Sequence, residues 1–315
     1  MFDTLLKSRC PVGIEINRTA LSFAQLQTLG KQVRLIAARR FDKPDNIRWE
    51  SEEWIKWAVN NLQKGIRKKW FNNIEMVGSV LPSELYIENL NLEGEDKSDE
   101  NIASIVEEKL PCSANELLIK TAEGEKGNFV VMAVRRELIE KYLEIYKQLG
   151  LDLKAIGVWP IALVNTYVHF FGRRETDKQA VVVLVNFDSD ATTVAICRHK
   201  KLLFAKSLEI NKEEVKSGSE GCERLVMELN ATKKHFNSLY KDTAIDRAVF
   251  FPTADMPEQI YGDIARKTDM TAQIGDCLKA VELVRNPNKQ LIERRNGHSN
   301  WAVVFGLSLY GGNNA

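Results

Sequence analysis

Residues 180–208 read AVVVLVNFDSDATTVAICRHKKLLFAKSL. Ala180–Asn186, Thr192–Cys197 and Leu202–Ser207 are three β-branched, apolar runs joined by short turns, the pattern of a three-strand meander. Working outward, the N-terminal part of the chain repeats it. Val12–Ile16, Leu21–Leu26 and Val33–Phe41 are β-rich runs that turn at Asn17–Thr19 and Leu29–Lys31. Each meander leads into a helix and a further strand. After the first, Ser51 is an N-cap with Glu52 and Glu53 in the opening turn, and Trp54, Ala58, Leu62 and Ile66 recur every four residues. Ile74–Leu81 is the next strand, closed by Pro82. After the second meander, a long helix over 220–240 carries Leu225, Leu229, Phe236 and Leu239 on one face. Ala248–Phe251 then reads as a strand and Pro257–Lys267 as a helix. A unit repeated in this way predicts two related α/β lobes facing each other across a cleft, the usual place for a ligand.

Composition narrows the classes. The chain has 315 residues, 44% hydrophobic and 28% charged, which excludes collagen, a disordered tail and a small disulfide scaffold. Lys and Arg number 44 against 43 Asp and Glu, a formal charge of +1, so no single-sign field marks a nucleic-acid binder. Cys10, Cys112, Cys197, Cys222 and Cys277 form no CxxC pair and are odd in number, as expected of reduced thiols in a cytosolic protein. No stretch reaches the roughly 18–20 apolar residues of a membrane span, and the apolar patch in MFDTLLKSRC is too short for a signal sequence. The expectation is a soluble, cytoplasmic chain.

Between the meanders, Ser83–Lys109 is mostly acidic, which reads as the solvated face of a small subdomain or a surface for a basic partner. Ile102, Val106 and Leu110 share a helix face that Pro111 ends. Leu117–Thr121 and Phe129–Val134 form a hairpin across Gly124–Asn128. Leu138, Tyr142, Ile145 and Leu149 are the stripe of a helix stopped by Gly150, Leu153–Val158 is a strand, and Pro160 opens another helix. The chain therefore divides into a first lobe at 1–171 with an insertion at about 83–158, a polar hinge at 172–179 and a second lobe at 180–299. A terminal segment at 300–315, with a helix at Trp301–Leu309 and a GGNNA tail, returns to the first lobe.

In this order the pieces resemble the PilM family of type IV pilus assembly proteins, actin-like relatives of the cell-division protein FtsA and of the cytoplasmic part of the secretion protein GspL. The family's opening G-x-D-I-G stands here as Gly13-Ile14-Glu15-Ile16-Asn17. Its Leu-Pro strand end is Leu81-Pro82, and its helix ending in Ile-Pro is matched at Leu110-Pro111. The strand and helix VRRELIEKYLEIYKQLGL run from 134 to 151. Pro160-Ile161-Ala162-Leu163 and Gly306-Leu307-Ser308-Leu309 complete the set. The resemblance implies an α/β, actin-like (ribonuclease H-like) fold of duplicated βββαβα lobes with a small inserted α+β subdomain. It implies a cytoplasmic protein held peripherally at the inner membrane by partners. Its partner would be a PilN-like single-pass protein whose N-terminal cytoplasmic segment lies extended in a groove of the first lobe beside the insertion. No nucleic acid is implied, self-association is left open, and a type II secretion machine is the alternative assembly.

In this fold two turns clamp the phosphates of ATP, glycine letting backbone N–H groups close on the oxygens, while carboxylates organise Mg²⁺ through water. The implied nucleotide positions are Gly13, Glu15, Asn17, Arg18 and Thr19 in the first lobe and Asn186, Asp188 and Thr192 in the second. The sequence departs from the pattern there. Glu15 stands for Asp, Asn17 and Arg18 for Gly and a small residue, Asn186 for the metal carboxylate and Asp188 for the phosphate-facing Gly. The adenosine segment reads Phe250-Phe251-Pro252-Thr253 and offers no glycine. The expectation is a pseudo-ATPase scaffold with ATP and Mg²⁺ binding lost or weakened. Two alternatives stand beside it: Glu15, Asp188 and Asp190 holding Mg²⁺ or Ca²⁺ with Thr192, and a working ATPase or sugar kinase.

Other features are weaker. His169, His199, His235 and His298 have no metal-ligand spacing, and no GxSxG, P-loop or GxGxxG occurs. Lys64, Arg67, Lys68 and Lys69 before Trp70 and Phe71 complement a helix C-terminus or, on the sharper reading, touch anionic lipid headgroups. Met1–Lys7 reads as a frayed terminus or a short docking strand or amphipathic anchor.

Overall fold

The computed structural model describes residues 7–311 apart from 31, 67–74, 95, 111, 150–151, 218, 254–255 and 284–299. Met1–Leu6, Arg67–Phe71, Pro111, His298 and most of the GGNNA tail lie outside the described residues.

The first lobe opens with β1 (Lys7–Ile16), β2 (Ala20–Leu29) and β3 (Gln32–Asp42), then α1 (Glu52–Gly65) and β4 (Glu75–Ser79). The insertion follows with β5 (Tyr86–Asn91), α2 (Asp99–Lys109), β6 (Leu117–Glu123) and β7 (Asn128–Arg135). The chain returns through α3 (Arg136–Gln148), β8 (Asp152–Gly157) and α4 (Trp159–Thr166), and α5 (Glu175–Gln179) leads out of the lobe. The second lobe holds β9 (Val181–Phe187), β10 (Thr192–Arg198), β11 (Lys201–Leu208), α6 (Lys212–Ser217), α7 (Ser219–Leu239), β12 (Arg247–Phe251), α8 (Glu258–Lys267) and β13 (Ala272–Ile274). α9 (Cys277–Ala280), β14 (Glu282–Leu283) and α10 (Ala302–Ser308) complete the chain.

The large sheets run β14-β3-β2-β1-β4-β8 and β11-β10-β9-β12-β13. Leaving out the two-residue β14, they share one order. The meander is antiparallel, its first strand pairs in parallel with the fourth, and the fourth with the fifth. The period-2 alternation explains the buried centre. Val182 and Leu184 of β9 face the core between the lobes, while Val181, Val183, Val185 and Phe187 face the core under α7 and α8. A strand covered on both faces reads as a continuous apolar run.

Two helices form the layer between the sheets. α4 lies against β10 and β11, α10 lies on β1, and the two pack on each other. Close approach depends on glycine at two points. A Cβ on Gly306 would meet Ala162 O at 1.8 Å, and one on Gly13 would meet Val304 O at 2.2 Å. Ser308 then repairs the sheet. Register breaks between Arg9 and Val12 and between Gln25 and Leu26 disrupt the ladders. The Ser308 hydroxyl donates to Pro11 O at 2.7 Å and accepts from Leu26 N–H at 3.0 Å.

Two boundaries differ from the sequence reading. β8 pairs with β4 inside the first-lobe sheet, so the inserted sheet, β5-β7-β6, ends at Arg135 and not near 158. Nothing in the apolar pattern of 153–158 says which sheet it joins. Cys277 and Val281 belong to the core between the lobes and β14 pairs with β3, so the chain re-enters the first lobe well before 299. In the 172–179 stretch, read as a hinge, the buried Asp177 ties the chain to β12. Asp177 meets Arg247 at 2.8 Å, and Arg247 also donates to Tyr167 Oη at 2.9 Å. The insertion docks on the edge strand of the second lobe. Asn89 donates to Ala205 O at 2.8 Å and accepts from Ala205 N–H at 3.0 Å, Asn128 donates to Leu239 O at 3.2 Å, and Glu125 pairs with Arg198.

Candidate functional site

The turn after β1 is built on one side chain. Asn17 Oδ1 accepts from the N–H of Thr19 at 3.1 Å and of Ala20 at 2.7 Å, while Asn17 N–H donates to Ala20 O at 2.9 Å. This is an Asx turn, which satisfies the backbone where the chain reverses. The turn after β9 is built similarly. Asp188 Oδ1 accepts from Ser189 N–H at 2.7 Å, and Asp188 N–H donates to Ala191 O at 3.2 Å.

The two turns close on each other. Asn17 Nδ2 donates to Asp188 Oδ1 at 3.3 Å, and Thr19 Oγ1 donates to Ser189 Oγ at 3.1 Å. Only about 20 Å³ remains between them, bordered by Glu15, Arg40, Asn186, Lys212 and Asn300. That space is about one water in size.

The charge inside is carboxylate-rich. Strand register sets Glu15 opposite Ser22 and Ser22 opposite Arg40, one row on three strands. Burial, then repulsion from Asp188, pushes the Glu15 carboxyl well above the carboxylate range, with Arg40 opposing. Burial also raises Asp188, opposed by the Ser189 N–H, Arg40 and Lys212. Asp190 is raised to about 6 by burial and by Asp188, and its Oδ2 is buried with no partner among the described residues.

The remaining predicted positions make the following contacts. Gly13 admits α10 onto β1. Thr192 Oγ1 donates to Ile210 O at 2.7 Å, away from the carboxylates. Among the described residues, no group of three or more His, Cys, Asp or Glu side chains is arranged to hold a metal ion, so Glu15, Asp188, Asp190 and Thr192 are not assembled as a metal site. Arg18 is exposed beside Asp190 and draws its carboxyl back down. Asn186 accepts from Asn300 Nδ2 at 2.6 Å. Asn300 also donates to Phe251 O at 3.2 Å and accepts from Ala302 N–H at 2.9 Å, joining β9, β12 and the start of α10. The sequence reading passed over Asn300, although an Asn just before an apolar helix is a capping signal.

Two further concavities flank this junction. One, of about 340 Å³, lies where the second lobe meets the chain returning to the first, with Pro252, Thr253, Met256, Tyr261, Cys277 and Trp301 among its walls. Phe250 and Phe251 of the predicted adenosine segment are fully buried in β12, so only Pro252 and Thr253 of that segment reach it. The other, about 270 Å³, is an apolar groove between α1 and α3, lined by Trp49, Trp54, Ile55, Leu138, Tyr142 and Ile145 with Glu50, Lys141 and Glu144 on its rim. Trp49 and Trp54 are in ring contact at 4.4 Å between centroids, and the buried Trp54 Nε1 has no partner among the described residues.

No protein-family model and no curated protein matches the chain. Solved structures do. The chain is similar to one in the PilM-PilN type IV pilus biogenesis complex, with a TM-score of 0.75 and 15% identity over 95% of this chain and 97% of that one. It is similar to a protein with actin-like ATPase fold and unknown function from Bacteroides thetaiotaomicron, with a TM-score of 0.50 and 10% identity over 87% and 92%. The cytoplasmic domain of EpsL, an inner membrane component of the type II secretion system of Vibrio cholerae, gives a TM-score of 0.48 at 12% identity over 90% and 91%. With its two like-ordered sheets, the chain has the actin-like fold.

Proposed function

We propose that this chain is a nucleotide-independent, actin-like scaffold of a type IV pilus or related secretion machine, holding the cytoplasmic N-terminal segment of a PilN-like single-pass inner-membrane protein. The observation that carries the reading is the closure of the interlobe turns. Asn17 and Thr19 of one lobe are bonded to Asp188 and Ser189 of the other, in the space the fold's phosphates need. A phosphate would also have to displace these bonds beside the buried Glu15 and Asp188 carboxyls, whose ionisation burial already disfavours and a further negative charge would disfavour more.

The partner assignment draws on the near full-length likeness to a chain of the PilM-PilN complex. The groove between α1 and α3 supplies a place for it. Its aromatic walls suit the apolar side chains of an extended peptide. The groove stands on the first lobe beside the insertion, because α3 leaves directly from β7. No helix among the described residues is long and apolar enough to cross a membrane. Attachment through the partner is therefore part of the proposal.

Calorimetry on the full chain tests it, with MgATP and with a peptide covering the cytoplasmic segment of the membrane partner. The expected result is micromolar peptide binding, weakened at least tenfold by Ile55→Glu or Trp49→Ala, and no heat with MgATP. Saturable MgATP binding would overturn the nucleotide-independent reading. Peptide binding untouched by both variants would overturn the groove assignment, and no peptide binding the partner assignment.

A further inference from the structure

The stretch that leaves the first lobe carries more positive charge than its surroundings balance. Arg173 and Arg174 follow the helical turn Tyr167–Phe171 that extends α4, and both are exposed. β10 and β11 meet nearby in a two-residue turn, His199 and Lys200, because Arg198 pairs with Lys201 in the ladder. The two segments share one face. Burial draws the His169 imidazole below its ordinary range against its bond to Asn165 O, and the charges of Lys200, Arg173 and His199 draw it lower. His199 is drawn down by burial, then by Lys200 and Lys178.

The carboxylates around this face are already engaged. Glu175 meets Lys178 at 2.6 Å, Asp177 meets Arg247 at 2.8 Å, Glu125 pairs with Arg198, and Asp246 accepts from Val181 N–H at 2.7 Å. Arg173 lies over the Phe170 ring, 5.9 Å from its centroid, and donates to His169 O. Arg173, Arg174 and Lys200 have no carboxylate partner among the described residues. In a chain of formal charge +1, these cations are a local excess, which sets up an attractive field for an anionic surface.

Place and shape decide the occupant. β9 begins at this face, where Val181 pairs with Arg198, and ends at the Asp188 turn. Its seven residues, at about 3.3 Å each, set the face apart from the interlobe turns by roughly 20 Å. None of the three concavities described above is lined by these residues. A bound peptide draws its affinity from main-chain bonds and side-chain pockets. Projecting cations without a pocket match instead a plane of acidic headgroups, such as the anionic lipids of a cytoplasmic leaflet.

We infer that Arg173, Arg174, Lys178 and Lys200 form a docking face for the anionic phospholipid surface of a membrane. The inference rests on the inner-membrane setting proposed above, but its assay contains no partner peptide, so the two readings fail separately. Cosedimentation of the full chain with mixed phosphatidylglycerol and phosphatidylcholine vesicles tests it, with pure phosphatidylcholine vesicles as the uncharged comparison. The expected result is saturable binding to the anionic vesicles, none to the neutral ones, and release as salt rises from about 0.05 M to about 0.5 M. Lys200→Glu combined with Arg173→Gln is expected to weaken binding by about tenfold or more. Lys200→Glu alone, on an exposed turn, keeps the test open should Arg173→Gln fail to fold. Lys234→Glu makes the same charge change at an exposed position of α7 and is expected to bind as the parent does. No binding to anionic vesicles, unchanged binding in Lys200→Glu, or equal weakening by Lys234→Glu would each overturn the assignment. Tighter binding to soluble poly-glutamate than to the vesicles would overturn it in favour of an acidic protein segment.

Discussion

Asn17 and Asp188 stand in corresponding turns of the two lobes, 171 residues apart, and share a hydrogen bond of 3.3 Å from Nδ2 to Oδ1. Each also fixes its own turn, so the two lobes are joined through residues whose local task is chain reversal.

Replacing Asn17 therefore removes several bonds at once. Asn17→Ala strips the acceptor from two backbone N–H groups and ends the contact to Asp188. The expected cost is about 2 kcal/mol, read as a lower urea midpoint. A shift under a few tenths of a kcal/mol would show that the turn and lobe contact do not depend on this side chain.

The cleft carboxylates give stability a defined pH dependence. Asp190 ionises near 3.8 in the unfolded chain and is raised to about 6 in the folded one. Between those values the folded chain keeps a proton that the unfolded chain has lost, so this group's contribution falls as pH rises from about 4 through about 6. Asp190→Asn is expected to be more stable than the parent at pH 7.5, by about 1–2 kcal/mol after allowing for solvent access. The gain is expected to vanish at pH 4, where the parent carboxyl is protonated. Unfolding midpoints at the two pH values provide the check, and a variant weaker than the parent at pH 7.5 contradicts it.

The α4–α10 contact is predicted to be intolerant of a single methyl group. Gly306→Ala places a Cβ 1.8 Å from Ala162 O, a backbone atom that cannot step aside. A loss above about 3 kcal/mol, or failure to fold, is expected. Ser308→Ala changes no volume of consequence but strands Leu26 N–H and Pro11 O in a fully buried site. Its expected cost is about 1–3 kcal/mol, so thermal unfolding should rank the two variants in that order.

Asn89 is predicted to hold the insertion on the second lobe. Its amide uses both ends on Ala205, as a strand backbone would. Asn89→Ala is expected to cost about 1–2 kcal/mol and to speed amide hydrogen exchange at Ala205 and its β11 neighbours. Unchanged exchange there would mean that Glu125–Arg198 and Asn128 suffice to hold the insertion.

The duplicated meander is legible because both triplets are apolar runs broken by turn residues, and all six strands form where the pattern puts them. β5 was missed for the opposite reason. Glu88, Asn89 and Asn91 make it look like part of an acidic loop, yet it is a strand whose amide side chain substitutes for main chain toward β11. The chemistry of the turns was legible as departure from a phosphate pattern. The bond that joins the turns was not, since Asn17 and Asp188 meet only through tertiary structure. The Asn186–Asn300 contact likewise joins residues 114 positions apart.

The seating of α10 on β1 also orders events during synthesis. The hydroxyl of Ser308 completes bonds to Pro11 and Leu26, partners 297 and 282 residues earlier. At roughly 5–20 residues per second, a ribosome releases those partners roughly 15–60 s before the helix that covers them. Through that interval the nascent first sheet shows an apolar face with two unpaired main-chain groups, which makes it a natural client for a chaperone. Such long-range closure also slows folding, so the lobe made first is the lobe finished last.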